Sequence, residues 1–100
     1  MSPNLLLDVE VDVDAYIESQ PPKQKAQIWG KIARLRINPR PNDAEEMRGY
    51  KPFLRVTIGQ HRIIYLVIEN IVKIVVVASR NDDDAYKIFE RKVKNFSFAA

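Results

Sequence analysis

The sequence predicts an α+β fold, a small and mostly antiparallel sheet with helices packed against it. Three observations carry this. Apolar residues recur at helical spacing over 23–37 and again over 86–93. Between these stretches lie three strand-like runs at 53–58, 62–68 and 71–79. The links between those runs, with a tight-turn candidate at Gly59–Gln60 and a second turn at Glu69–Asn70, are short, which suits antiparallel neighbours and not crossovers. A length of 100 residues gives one domain, 1–100.

The elements follow in order. Leu5, Leu6, Leu7, Val9 and Val11 form a short apolar run, which predicts a first strand near 4–10. Asp12 to Ser19 has room for one or two helical turns before Pro21–Pro22. Proline is tolerated in a first helical turn, so a second helix can begin there. Ile28, Trp29, Ile32 and Leu35 give it one buried stripe, with Lys23, Lys31 and Arg34 mostly outside. Asn38–Pro39 stops it. Strand, helical hairpin and turn are thus followed by a three-stranded meander.

In that meander Leu54, Val56 and Ile58 face one way, while Phe53, Arg55 and Thr57 face the other. Residues 62–68 are apolar on both parities, as a strand buried on both faces requires. Ile71 to Ser79 is rich in β-branched residues and extends the sheet. Asn81 is a candidate N-cap, and Asp82, Asp83 and Asp84 would sit where the helix dipole favours negative charge. Tyr86, Phe89 and Val93 give the C-terminal helix its stripe. The tail from Asn95 is expected to be loose, with Phe96 and Phe98 available to pack back.

Composition excludes several chemistries. The chain has no Cys and one His, so disulfides, thiolate metal sites, a Cys nucleophile and a multi-His cage are absent. No stretch approaches the ~20 apolar residues of a membrane span, and no leader is recognised, so a cytoplasmic protein with no membrane partner is expected. Asp82–Asp84 is better explained by capping and dipole than by a metal, and no cofactor is implied. The formal charge of +3 conceals an uneven distribution. Residues 1–20 sum to −5, residues 21–62 to +7 and residues 63–100 to +1. The basic block fits a polyanionic partner and equally a solvated basic helix face. Lys31, Arg34, Arg48 and Lys51 within it are the candidate RNA contacts.

Four residues could carry chemistry. Arg55 points away from the Leu54 face, Arg62 opens the central strand, Arg80 ends the last strand, and Tyr86 follows six residues later. Helical side chains lean toward the N-terminus, so Tyr86 should lean back toward Arg80. Guanidinium groups bind phosphate oxygens bidentately, and fixed cations stabilise charge that builds on those oxygens. Positive surroundings favour a phenolate, which can accept a proton from a ribose 2′-hydroxyl. The pattern alone also fits a bland arrangement, with Arg62 and Arg80 paired to Asp82–Asp84 or Glu69 and Tyr86 at the core edge. His61, next to Arg62, should project to the opposite face as a turn-edge or surface residue, with a catalytic or RNA-contacting role as the alternative.

At these residues the chain resembles the RelE/ParE toxin superfamily. The likeness runs through Phe53-Leu54-Arg55-Val56, Gly59-Gln60-His61-Arg62-Ile63-Ile64-Tyr65, Ile74-Val75-Val76-Val77, Arg80 and Tyr86. The N-terminal strand and helical hairpin ending in Asn38–Pro39 are also similar, and Met47-Arg48-Gly49 resembles the family's Leu-x-Gly. The resemblance implies a RelE-like fold and a ribosome-dependent endoribonuclease that cuts messenger RNA. Its partners would be the ribosome, the message and a RelB-like cognate antitoxin, in an oligomeric state the sequence does not give. Arg62, Arg80 and Tyr86 match the family's active residues. Arg55 stands for its second lysine, and Phe53 replaces the first. Lys51 is the nearest substitute for that lost charge. The alternatives are a ParE-like inhibitor of DNA gyrase and a non-catalytic RNA-binding member of the superfamily.

Overall fold

The computed structural model describes residues 4–95. The expected contribution of Phe96 and Phe98 therefore lies outside the described residues. Strand β1 (Leu6–Val9) leads into helices α1 (Val11–Glu18) and α2 (Pro22–Ile37). Strands β2 (Glu45–Glu46), β3 (Leu54–Ile58), β4 (His61–Ile68) and β5 (Ile71–Ser79) follow, then a single 3₁₀ turn (Asn81–Asp83) and helix α3 (Asp84–Asn95). The sheet order is β1-β5-β4-β3-β2. β1 runs parallel to β5, and the other pairings are antiparallel. The expected meander is present with β4 at its centre. The parallel β1 edge and the two-residue β2 complete a five-stranded mixed sheet.

Each helix layer forms because its apolar stripe has a sheet face to bury against. Val13 and Ile17 of α1, with Ile28, Ile32 and Leu35 of α2, pack on Leu54, Val56, Ile63, Tyr65, Val72, Ile74 and Val77. Phe89 and Ala85 of α3 pack on the other face, against Met47, Phe53, Ile64, Leu66, Val75, Val76 and Ala78. The alternation of β3 therefore has apolar anchors on both sides. Trp29 packs at the edge of the first layer, and its indole N–H donates to Glu18 at 3.0 Å. The Tyr65 hydroxyl, in the same layer, donates to the Pro39 carbonyl at 2.7 Å and pins the turn after α2.

One irregularity sets which face the end of β5 presents. Ile64 pairs with Val76, but Tyr65 pairs with Ile74, so Val75 is an extra residue in β5. Such a bulge reverses the side-chain phase beyond it. Before it Val72 and Ile74 face α1 and α2; after it Val77 does, while Val75, Val76 and Ala78 face α3. Arg80 continues the ladder one step past the strand, its N–H donating to Gln60 O at 3.0 Å. The shifted phase puts that register position on the α3 side with Arg62, whose cross-strand partner is Ala78.

The acidic N-terminal segment is largely consumed within the fold. Lys92 of α3 reaches Glu10 at 2.7 Å, Asp12 at 2.8 Å and the Val75 carbonyl at 2.6 Å. Lys25 pairs with Glu18 at 3.3 Å and Lys73 with Asp8 at 3.9 Å. The expected N-cap at Asn81 is corrected: Asn81 belongs to the 3₁₀ turn, and α3 begins at Asp84. Asp83 there adopts φ +57°, a left-handed conformation that interrupts helical geometry. Among the described residues no helix is long and apolar enough to cross a membrane.

Candidate active site

Three of the four singled-out residues converge. Thr57 lies opposite Arg62 and Arg55 opposite Ile64, so the two arginines are diagonal neighbours on the α3 face of β3 and β4. Tyr86, one turn before the core residue Phe89, is held above them by α3. The Arg62 guanidinium carbon lies 5.0 Å from the Tyr86 ring centroid and that of Arg55 lies 5.5 Å away. Both distances are within cation–π range, worth about 0.5–2 kcal/mol each depending on exposure. Arg80 differs from expectation. It is exposed at the rim, and among the described residues its side chain makes no hydrogen bond, ion pair or contact with Tyr86. With two guanidinium groups already at the phenol, a third cation without a counter-ion is better solvated outside.

The two clustered arginines are satisfied differently. Arg55 pairs with Glu45 at 3.2 Å across the β2–β3 pairing. Glu45 is 67% exposed, and an ion pair of this kind contributes only about 0–1 kcal/mol. Arg62 forms no ion pair among the described residues, and its Nε is buried with no acceptor. A buried donor without a partner costs about 1–3 kcal/mol, more when charged. That orphaned N–H is a standing demand for an anionic oxygen. Of the bland arrangement with Asp82–Asp84 or Glu69, no ion pair of Arg62 or Arg80 to Asp83, Asp84 or Glu69 occurs among the described residues, and the Asp82 side chain lies outside them.

The proposed RNA contacts are scattered. Lys31 pairs with Asp43 at 2.7 Å, with only 13% of its side chain exposed, and holds that carboxyl below its usual range. Lys31 and Arg34 line a pocket with Leu35, Ile37, Asn38 and Pro41. They belong to α2, across the sheet from Tyr86. Arg48 is exposed in the loop whose Met47 and Tyr50 pack beside Phe89. Lys51 sits in the turn before β3, not in a strand, and lines a cavity with Arg40, Glu46 and Leu54. Leu54 faces the α1–α2 layer, so this cavity opens away from the Arg55 side. Phe53, in the lysine position of the resemblance, is buried with its ring 4.9 Å from Phe89.

His61 corrects one expectation and keeps another. It projects to the face opposite Arg62, yet it is buried, 5% exposed, and not on the surface. The Tyr16 hydroxyl lies 2.9 Å from Nδ1, and Nε2 lies 2.7 Å from Gln24 Oε1. Burial pushes its pKa below the usual 6.5. Burial, assisted by Asp84, raises that of Tyr16. Sequence reasoning missed Glu45 altogether, because nothing local marks the acidic pair 45–46 as a strand. Among the described residues no three His, Asp or Glu side chains gather as a metal site.

Comparisons with known proteins bear on the fold and the family. The structure is similar to a mutant E. coli RelE toxin in the free state, with TM-score 0.75 and 17% identity, covering 95% of this chain and 100% of that one. It is similar to RelE of the archaeal RelE–RelB complex from Pyrococcus horikoshii, with TM-score 0.71 and 20% identity over 80% and 99% of the chains. A chain of the RelBE2 toxin–antitoxin complex from Mycobacterium tuberculosis matches with TM-score 0.65 and 16% identity over 78% and 100%. At these identities the likeness shows the fold. No curated protein matches the sequence. The family model for the ParE toxin of type II toxin–antitoxin systems, parDE, matches residues 11–84, a span that includes Arg55, Arg62 and Arg80 and stops before Tyr86. The chain belongs to the ParE toxin family of type II toxin–antitoxin systems, within the RelE/ParE superfamily.

Proposed function

We propose that this toxin is a ribosome-dependent endoribonuclease acting on messenger RNA. The observation that carries the reading is the Tyr86 ring above the guanidinium groups of Arg55 and Arg62, with the Arg62 Nε buried and lacking an acceptor. A phosphodiester supplies the missing oxygen. In this reading Tyr86 takes the proton of the 2′-hydroxyl. The 2′-oxygen attacks phosphorus, the P–O5′ bond breaks, and the products are a 2′,3′-cyclic phosphate and a 5′-hydroxyl. Arg62 and Arg55 stabilise the charge that grows on the non-bridging oxygens. Arg80, unpaired at the rim, closes on the phosphate as the message docks. A guanidinium is a poor proton donor, so the leaving oxygen takes its proton from water.

RelE structures in complex with RelB support an antitoxin as the resting partner of this chain, and the proposed place of action is the cytoplasm. The direct test is cleavage of a defined message on programmed ribosomes. Cleavage that disappears in Arg62→Ala and falls at least about a hundredfold in Tyr86→Phe supports the assignment. Unchanged cleavage in Tyr86→Phe removes the phenol from the mechanism. The family model favours a second reading, inhibition of DNA gyrase as in ParE-like toxins. Loss of gyrase supercoiling by the toxin, with no RNA cut, would select it.

A further inference from the structure

Arg62 is the only residue of the cluster with a buried, unpartnered donor, and no hydrogen bond of its own fixes its side chain among the described residues. Apart from its contact with the Tyr86 ring, its placement depends on the backbone that carries it. That backbone is held from behind by His61. The Gln24 amide oxygen can only accept, so the imidazole proton is on Nε2, leaving Nδ1 to accept from the Tyr16 hydroxyl. Burial and Asp84 keep the Tyr16 proton in place, so the donor that Nδ1 needs is present. The imidazole ties the first residue of β4 to both α1 and α2. The adjoining turn passes close to α2: Gly59, at φ +59°, lies where an added Cβ would make van der Waals contact with Gln27, at 3.5 Å. Gln60 O then accepts from Arg80 N. Arg62 and Arg80 are the residues that follow and pair with this clamped turn.

We propose that His61, as the Nε2–H tautomer, is a positioning residue that sets Arg62 and Arg80 for catalysis from the opposite face of the sheet. This deepens the catalytic reading above and rests on it. The groups around the imidazole are few. They are Tyr16 of α1, Gln24 of α2 and the cross-strand partner Ser79 of β5. Asp84, Lys87 and Arg91 of α3 line the cavity that Tyr16 and Ser79 share. Protonation would place an N–H on Nδ1 against the Tyr16 O–H. The Tyr16 hydroxyl would then turn and accept from Nδ1, and Nε2–H would still donate to Gln24, so both contacts survive with one reversed in direction. The neutral Nε2–H form is the one in which the clamp rests, and acidification rearranges it.

The sole histidine makes the test unambiguous. Selective ¹⁵N labelling reads tautomer and titration in the full-length toxin, while backbone amides report on Arg62 and Arg80. The expected result is a bare Nδ1 and protonated Nε2 near neutrality. The Arg62 and Arg80 amides should shift along the same titration curve. In Tyr16→Phe, which keeps the ring and removes only the donor, kcat should fall on the order of tenfold with KM within about twofold, because sub-ångström misplacement acts mainly on the transition state. Arginine amides that ignore the His61 titration would overturn the proposal. So would a cleaving toxin whose Tyr16→Phe variant keeps native kcat. If the native toxin cuts no RNA, the catalytic reading fails, and the tautomer and amide titrations still decide whether His61 holds these two arginines.

Discussion

Phe89→Ala is expected to be the most damaging single truncation on the face that carries Tyr86. Phe89 is fully buried, with its ring edge-on to Tyr50 at 5.0 Å and to Phe53 at 4.9 Å. Truncating a buried Phe costs about 3–5 kcal/mol through lost transfer energy and the cavity left behind. Each edge-to-face pair adds about 0.5–1.5 kcal/mol beyond area, which places this site in the upper half, near 4 kcal/mol. Domains of this kind hold about 5–15 kcal/mol in total. A loss of 1 kcal/mol lowers Tm by about 4–8 °C at this size, so the midpoint should drop by roughly 20 °C. Urea unfolding followed by circular dichroism and by the fluorescence of the single Trp29 measures it. Trp29 packs on the opposite helix layer, so coincident transitions also test whether both layers unfold together. A loss below about 1 kcal/mol with an unchanged m-value would refute the docking of α3 on the sheet, and with it the placement of Tyr86.

Other expectations are direct. Tyr65→Phe removes the bond to Pro39 O and should cost about 0.5–1.5 kcal/mol in the same urea assay. Burial pushes the Tyr65 pKa up to about 12, so its share of stability is intact below pH ~10 and lost as pH rises toward 12; absorbance at alkaline pH reads the phenolate. For His61 the sign is opposite. Its folded pKa lies below 6.5, the unfolded chain binds the extra proton, and stability should fall as pH drops below about 6.5. His61→Gln should flatten that slope in denaturation midpoints taken from pH 7.5 to 5. Lys92→Met leaves Glu10 without its partner and should cost about 1.5–3 kcal/mol, an effect that unchanged midpoints would contradict.

The meander was legible in the sequence because its cues are local. β3 alternates, β4 is apolar on both parities, and two-residue turns join the three strands. What was not legible depends on distant partners. β1 pairs with β5, from which α1, α2, β2, β3 and β4 separate it along the chain. Glu45–Glu46 has no strand signal of its own and is extended because it pairs with Leu54 and Arg55. The bulge at Val75 leaves no mark in an all-apolar run, although it decides the face that Arg80 inherits. The site divides the same way. Alternation sets Arg62 and His61 on opposite faces of one strand, whereas Arg55 joins Arg62 on one face through the β3–β4 register, Arg55 opposite Ile64. That His61 is buried follows from Tyr16 and Gln24, 45 and 37 residues away in the chain, which no local pattern reveals. Charge counting had a related limit. The pairs Lys31–Asp43 and Arg55–Glu45 are already netted within the +7 block, but Lys25 of the block is paired with Glu18 of the acidic segment, so the sum overstates what an RNA would meet.

The central claim is that Tyr86 and the arginines beneath it cut RNA. Its most direct test is primer extension on a ribosome-bound message, comparing the native toxin with Tyr86→Phe at matched, folded concentrations. The account predicts discrete cleavage by the native chain, with 2′,3′-cyclic phosphate ends, and a drop of at least about a hundredfold in the variant. Equal cleavage by the two proteins, or none by the native toxin alongside blocked gyrase supercoiling, would contradict it.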